Sequence, residues 1–302
     1  MKHTKIAIVG AGAVGSTTAY ALMLRNIAAE IMLIDINIER CEGEILDLSD
    51  AISLSCASKI KRGTMEDARE ADIVIICAGA KQKPGQKREE LIKINKKVVS
   101  SIINDLKPTN PHTKIIMVTN PVDIMTYFAQ KESDLPKSQV FGTGTFLDTL
   151  RIRGLIAKEL HIAEQSVHAY CLGEHGDSQF VAWSSASVAG KPLTDFPHLD
   201  KADLDQLSHA AKNKVYEIIK CKGATFFGIA ACISAICADI IFDQKYVIPL
   251  STYIEKFRVC ISMPVVIGKS GIEKIIDIPL NDEEQALLKS SADKLKKIIE
   301  IT

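Results

Sequence analysis

The sequence predicts an α/β protein in which a doubly wound parallel sheet is followed by an α+β unit. Three observations carry this. Short apolar runs alternate with helix-length segments through the first half, a glycine-rich turn joins the first run to the first helix, and after about Gly142 the pattern changes to longer helices with scattered short strands.

The runs at 5–9, 30–34, 72–77 and 114–118 are largely apolar, as strands covered on both faces are. Residues 13–25, 38–54 and 89–106 have helix length and give βαβ units. In the second half, 147–160, 201–220, 223–242 and 281–299 read as helices, the last with Asn281 as N-cap and acidic residues in its first turn. Segments 167–171, 246–250 and 265–268 read as strands. The change of pattern places a boundary between a nucleotide-binding domain, 1–142, and a catalytic and substrate domain, 143–302.

Composition narrows the function. The chain has 302 residues, 47% hydrophobic and 25% charged, with Lys+Arg and Asp+Glu both at 37, so no basic excess exists to neutralise nucleic acid or an anionic membrane. Eight cysteines form no C-x-x-C pair and fall mostly in apolar runs, which predicts no disulfide framework or metal site and a reducing, cytoplasmic location. Met1-Lys2-His3-Thr4 leads straight into the first strand, so no signal peptide is expected. The run 223–242 is long enough to span a bilayer, but it is rich in Gly, Ala, Ser and Cys and contains Asp239. It reads as a helix buried in the core or at a subunit interface.

Gly10-Ala11-Gly12-Ala13-Val14-Gly15 is G-x-G-x-x-G between a strand and a helix, and Asp35 ends the next strand twenty residues beyond Gly15. Gly10 permits the tight turn, Gly12 lets the backbone approach a pyrophosphate, and Gly15 lets helix pack on sheet. The helix N-terminus favours phosphate charge, and Asp35 accepts from a ribose 2′-hydroxyl while repelling a 2′-phosphate, which selects NAD over NADP. The sheet is therefore expected to be Rossmann-type.

Four polar segments remain. The basic loop 78–88 and Thr119-Asn120-Pro121-Val122-Asp123 leave the C-terminal ends of strands, where ligands bind in an open α/β sheet. Leu147-Asp148-Thr149-Leu150-Arg151 starts a helix, and Gly173-Glu174-His175-Gly176-Asp177 is a glycine-flanked turn. They supply cations, a carboxylate and a histidine, but no nucleophile paired with a base.

GAGAVG, AGAKQKPGQKR, TNPVD, LDTLRIR, GEHGD and KGAT occur in the order found in L-lactate/malate dehydrogenases, and the chain resembles that family from Lys5 to its last helix, closest to the bacterial L-lactate members. The resemblance implies that His175 is the proton donor and acceptor of a 2-keto acid reduction, with Asp148 orienting its imidazole. It implies that Arg151 grips the substrate carboxylate, that Arg88 polarises the carbonyl from a closing loop, and that Asn120 and Thr225 complete the pocket. Val14, Arg40, Gly79, Ala80, Ser101, Asn120 and Thr143 match further cofactor positions. Met65 stands where many members have tyrosine, which weakens that adenine contact.

Substrate choice rests on Gln82, where malate-type members carry an arginine. A neutral side chain there leaves the second carboxylate of oxaloacetate without a charged partner, so pyruvate is favoured. Flanking Lys81 and Lys83 keep malate as an alternative, and GTGTFLDT and GEHGDSQFVAWS resemble L-2-hydroxyisocaproate dehydrogenases. An idle NAD-binding regulator would have lost the His/Asp/Arg set, which is intact. The resemblance further implies a homotetramer in which Arg153 and His168 bind fructose 1,6-bisphosphate between subunits, Arg153 pointing about 200° away from Arg151 around the same helix.

Overall fold

The structure, a computed structural model, describes residues 4–52, 59–80, 88–197 and 199–302. Six parallel strands, β1 (Lys5–Val9), β2 (Glu30–Ile34), β3 (Lys59–Arg62), β4 (Ile73–Ile76), β5 (Lys114–Met117) and β6 (Val140–Gly142), lie in the order β3-β2-β1-β4-β5-β6. The order reverses between β1 and β4, and this is the doubly wound Rossmann arrangement, with its binding crevice beyond the strand C-termini.

Successive strand residues feed opposite layers, as a two-residue repeat requires. Ile6, Ile8, Ile31, Leu33, Ile73 and Ile75 join one core with helix α1 (Ala13–Leu24) and helix α2 (Ile38–Ile52). Ala7, Val9, Met32, Ile34, Val74 and Ile76 join the other, under α3 (Met65–Arg69), α4 (Arg88–Asp105) and α5 (Val122–Glu132). All four residues of β4 are buried, so this strand lies between two apolar layers.

The second half begins with α6 (Phe146–Leu160) and five two-residue strands: β7 (Val167–His168), β8 (Cys171–Leu172), β9 (Phe180–Val181), β10 (Ser187–Val188) and β11 (Lys191–Pro192). Helices α7 (Lys201–Lys222) and α8 (Phe227–Ile241) precede β12 (Tyr246–Ile254), β13 (Val259–Gly268) and β14 (Gly271–Ile275), and α9 (Asp282–Ile301) closes the chain. The last three strands are antiparallel and extend the main sheet through β12, which meets β6 at Ser251 and Gly142. Nine strands thus form one sheet among the described residues.

The structure corrects the apolar stretch 223–242. Helix α7 runs on to Lys222 and stops at Gly223, whose φ of +84° is the left-handed C-terminal conformation open to glycine. A separate 15-residue helix, α8, then starts at Phe227, with Ile233, Ile236 and Cys237 fully buried. No helix among the described residues is long and apolar enough to cross a membrane. Asn281 caps α9 as expected, accepting from Glu284 N–H at 2.9 Å, while the Glu284 carboxylate accepts from Asn281 N–H at 3.0 Å.

Candidate active site

The three glycines of the turn differ in what surrounds them. A Cβ on Gly10, at φ +106°, would stand 2.6 Å from Ala78 N, and one on Gly15 would stand 1.9 Å from Gly10 O. Both glycines are demanded by backbone contact. A Cβ on Gly12 would meet nothing within 4 Å among the described residues, so the N-terminus of α1 faces open ground there. Asp35 follows β2, and its carboxylate accepts from Ala11 N–H at 2.7 Å and Asn37 N–H at 2.8 Å, which ties it to the turn. An open helix N-terminus beside a fixed carboxylate fits the pyrophosphate and ribose of a dinucleotide.

The other expected cofactor positions divide. Val14 is in the first turn of α1, its carbonyl accepting from Thr18 at 2.7 Å. Arg40 is on α2 within 3.5 Å of Glu44, and the buried Thr143 donates its N–H to Met117 O at 3.0 Å. Gly79 is confined, because a Cβ would lie 2.6 Å from Thr119 Cγ2. Ala80 N–H donates to Asn95 Oδ1 at 2.7 Å, and Asn95 Nδ2 donates to Asn120 O at 2.7 Å. Buried Asn95 thereby joins the ends of two strands, a role the sequence reading missed because a single asparagine in a charged helix has no distinguishing pattern. Ser101 is exposed, about 9 Å further along α4 than Asn95, and nothing described ties it to the rest of the site.

The chemical groups meet at α6. Asp148 and Arg151 are both buried on it, and Arg151 Nη1 lies 3.1 Å from Asp148 Oδ1. Asp148 Oδ2 lies 2.7 Å from His175 Nδ1. Thr145 and Thr149 fasten α6 to Cys171, the first donating to its carbonyl at 2.5 Å and the second accepting from its N–H at 2.8 Å. The His175 turn leaves that strand at Gly173, φ +92°. With Nδ1 held by Asp148, the other ring nitrogen is left to exchange a proton with a ligand.

Burial opposes a charged imidazole, but the Asp148 carboxylate and its hydrogen bond outweigh it, with Asp123 assisting, so the His175 pKa is raised above its ordinary 6.5. For Asp148, burial pushes upward and His175 and Arg151 pull downward, and the pKa falls below its ordinary 3.8. The pair therefore favours imidazolium beside carboxylate.

Two further supports hold the turn. Asp123, in the first turn of α5, accepts from His175 N–H at 2.7 Å. From α9, Ser291 Oγ accepts from Glu174 N–H at 2.8 Å, and Lys294 Nζ lies 2.7 Å from the buried Glu174 carboxylate. Asp123 and Glu174 fall inside motifs legible in the sequence, but their partners lie 52 and 117 or more residues away, and no local pattern shows such pairings.

Of the remaining expectations, Arg88 opens α4, Asn120 is exposed beyond β5 and Thr225 is half-buried between α7 and α8. Gln82 lies outside the described residues. Arg153 Nε donates to Ala169 O at 3.0 Å, and its guanidinium lies over the Tyr170 ring at 5.1 Å. His168 is exposed on β7, next to Ala169.

Residues 4–142 match the NAD-binding domain of lactate/malate dehydrogenase, and residues 145–302 match that family's α/β C-terminal domain. The chain belongs to the lactate/malate dehydrogenase family. Its N-terminal domain takes NAD as cofactor. Among its relatives, L-lactate dehydrogenase A of Rhizopus oryzae is 48% identical over 98% of this chain and 92% of that protein. L-lactate dehydrogenase of Acetivibrio thermocellus is 42% identical over 98% and 96%. The crystal structure of a minor L-lactate dehydrogenase from Enterococcus mundtii superposes with a TM-score of 0.96 at 37% identity, covering 100% of this chain and 99% of that one. The lactate dehydrogenase MGS-M5, from a Medee basin deep-sea metagenome library, gives 0.95 at 35% identity, covering 99% of each chain.

Proposed function

We propose that the chain is an NAD-dependent L-lactate dehydrogenase that interconverts pyruvate and L-lactate. The observation that carries this reading is the buried Asp148 carboxylate shared by His175 at 2.7 Å and Arg151 at 3.1 Å, which sets a proton donor beside a carboxylate-binding cation. Reduced NAD, when bound, supplies the hydride for the carbonyl carbon. His175 gives the ring-nitrogen proton to the carbonyl oxygen and recovers it in the reverse direction. Asp148 holds the ring and balances its charge. Arg151 fixes the substrate carboxylate, Arg88 polarises the carbonyl, Asn120 donates a hydrogen bond and Thr225 walls the pocket. Gln82 leaves room for a methyl group and no charge for a second carboxylate.

NAD is held by Gly10, Gly12, Val14, Gly15 and Asp35 at the turn, with Arg40, Gly79, Ala80, Ser101, Asn120 and Thr143 along the strand ends. Residues 1–142 carry the cofactor and 143–302 the catalytic set. The free thiols of the seven described cysteines favour a cytoplasmic location. Initial rates with pyruvate, oxaloacetate and 2-ketoisocaproate test the substrate. The reading requires kcat/KM to be highest for pyruvate, and a preference for oxaloacetate overturns it.

The same reading includes a homotetramer regulated by fructose 1,6-bisphosphate at Arg153 and His168. Arg153 reaches the residue after His168, so a phosphate bound by the two would couple α6, with Asp148 and Arg151, to the chain leading to His175. A pyruvate titration with and without the bisphosphate, on wild type and Arg153→Gln, tests it. A lower KM in wild type alone supports the site, and superimposable wild-type curves remove it.

A further inference from the structure

Asp123 is the second carboxylate on the His175 turn. It is 2% exposed, and its Oδ2 accepts from His175 N–H at 2.7 Å. Its Oδ1 and the buried Ser251 Oγ on β12 have no other hydrogen-bond partner among the described residues, and Ser251 is near enough to stabilise the Asp123 carboxylate. An asparagine or serine at 123 would accept the same backbone hydrogen bond without burying a charge. Retaining a carboxylate there costs desolvation, and a requirement for backbone support alone does not account for it.

We propose that Asp123 is a positioning residue for His175, holding its main-chain N–H and favouring the imidazolium from behind the turn. The inference rests on His175 being the proton carrier. It adds to the Asp148 contact, which acts on the ring, a charge that acts through the backbone of the same residue.

The surrounding charges set the sign. His175 and Glu174 face Asp123 from the turn, Asp148 and Arg151 act on the imidazole from α6, and Cys260 faces Asp123 from β13. Lys294 on α9 pairs with Glu174, and Lys137 acts on Cys260. Burial pushes the Asp123 carboxyl up to about 6, Ser251 and His175 pull it down, and Glu174 pushes it up. Asp123 is therefore ionised at neutral pH and raises the proton affinity of His175 there. Below about pH 6 it takes a proton and that support fades.

Asp123→Asn tests this, because the asparagine oxygen still accepts from His175 N–H while the charge is gone. Pyruvate reduction needs the imidazolium and fails on the alkaline side, whereas lactate oxidation needs the neutral ring and fails on the acidic side. The kcat/KM profiles of both directions are measured on wild type, Asp123→Asn and Ser251→Ala. In Asp123→Asn both limbs move to lower pH, so that at a fixed pH between them reduction falls and oxidation rises. Ser251→Ala lets Asp123 hold its proton more tightly and moves both limbs the same way by less, which keeps the inference testable if Asp123→Asn does not fold. Unmoved limbs, or equal slowing of both directions, overturn the role of Asp123. A wild type with neither limb overturns the reading of His175 itself.

Discussion

Asp148 Oδ2 lies 2.7 Å from His175 Nδ1 while Asp148 Oδ1 lies 3.1 Å from Arg151 Nη1, so one buried carboxylate aligns both the proposed proton carrier and the proposed substrate-binding cation. Replacing it by asparagine removes a charge from two functions at once. Asp148→Asn is expected to lower kcat with pyruvate by about 100-fold or more and to raise KM, since both the imidazolium and the guanidinium lose their fixed partner. Steady-state kinetics check this.

The same pair gives stability a pH dependence. The raised His175 pKa contributes stability that is complete below its ordinary 6.5 and is lost as pH rises through the folded value. The lowered Asp148 pKa contributes above its ordinary 3.8 and is lost as pH falls through the folded value. The unfolding free energy of wild type should therefore exceed that of Asp148→Asn most between pH 3.8 and 6.5, with the gap narrowing toward alkaline pH to what Arg151 still contributes. Urea unfolding across pH measures it.

The glycine turn yields a contrast within one motif. Gly12→Ala should fold with an unchanged Tm, because its Cβ meets nothing within 4 Å among the described residues, yet bind NADH about 10- to 100-fold more weakly by occupying the ground before the helix N-terminus. Gly15→Ala should unfold at lower temperature, because its Cβ would fall on Gly10 O. Thermal melts and NADH fluorescence titrations separate the two.

Lys294 acts on the site from the C-terminal helix. Lys294→Met removes the cation 2.7 Å from the 2%-exposed Glu174 side chain, which retains Ser178 Oγ at 2.5 Å. About 1–3 kcal/mol of stability should be lost, with a fall in kcat because Glu174 adjoins His175. Calorimetry and pyruvate kinetics on the same sample check both.

Most of this architecture was legible where residues declare it locally. The turn at Gly10 to Gly15, the acid at Asp35 and the cap at Asn281 each rest on short-range chemistry: backbone contact requires Gly10 and Gly15, Asp35 accepts from Ala11 N–H, and Asn281 caps α9. Helix α5 was not legible. Eight of its eleven residues are buried, so no polar face marks a helical period. Strand β3, Lys-Ile-Lys-Arg at the sheet edge, is four residues long and carries the charges that edges carry, which hides it among loops. In the site, Asp148 and Arg151 share a helix face through their spacing of three. By contrast, Asn95, Asp123 and Ser291 act across folds of the chain, and only the tertiary structure brings them to their partners.

Specificity has its own test at Gln82. Gln82→Arg should raise the oxaloacetate-to-pyruvate ratio of kcat/KM by about 100-fold or more, because the new cation is satisfied only by a second carboxylate. An unchanged ratio would remove Gln82 from its proposed role in specificity.

In the proposed reaction His175 carries the proton of a keto acid reduction whose cofactor binds elsewhere on the chain. The most direct measurement is NADH binding and pyruvate turnover on His175→Ala. NADH affinity should stay close to wild type, because the turn at Gly10 to Gly15 and Asp35 is untouched, with turnover reduced by about 1000-fold or more. Turnover near the wild-type rate would contradict this role of His175.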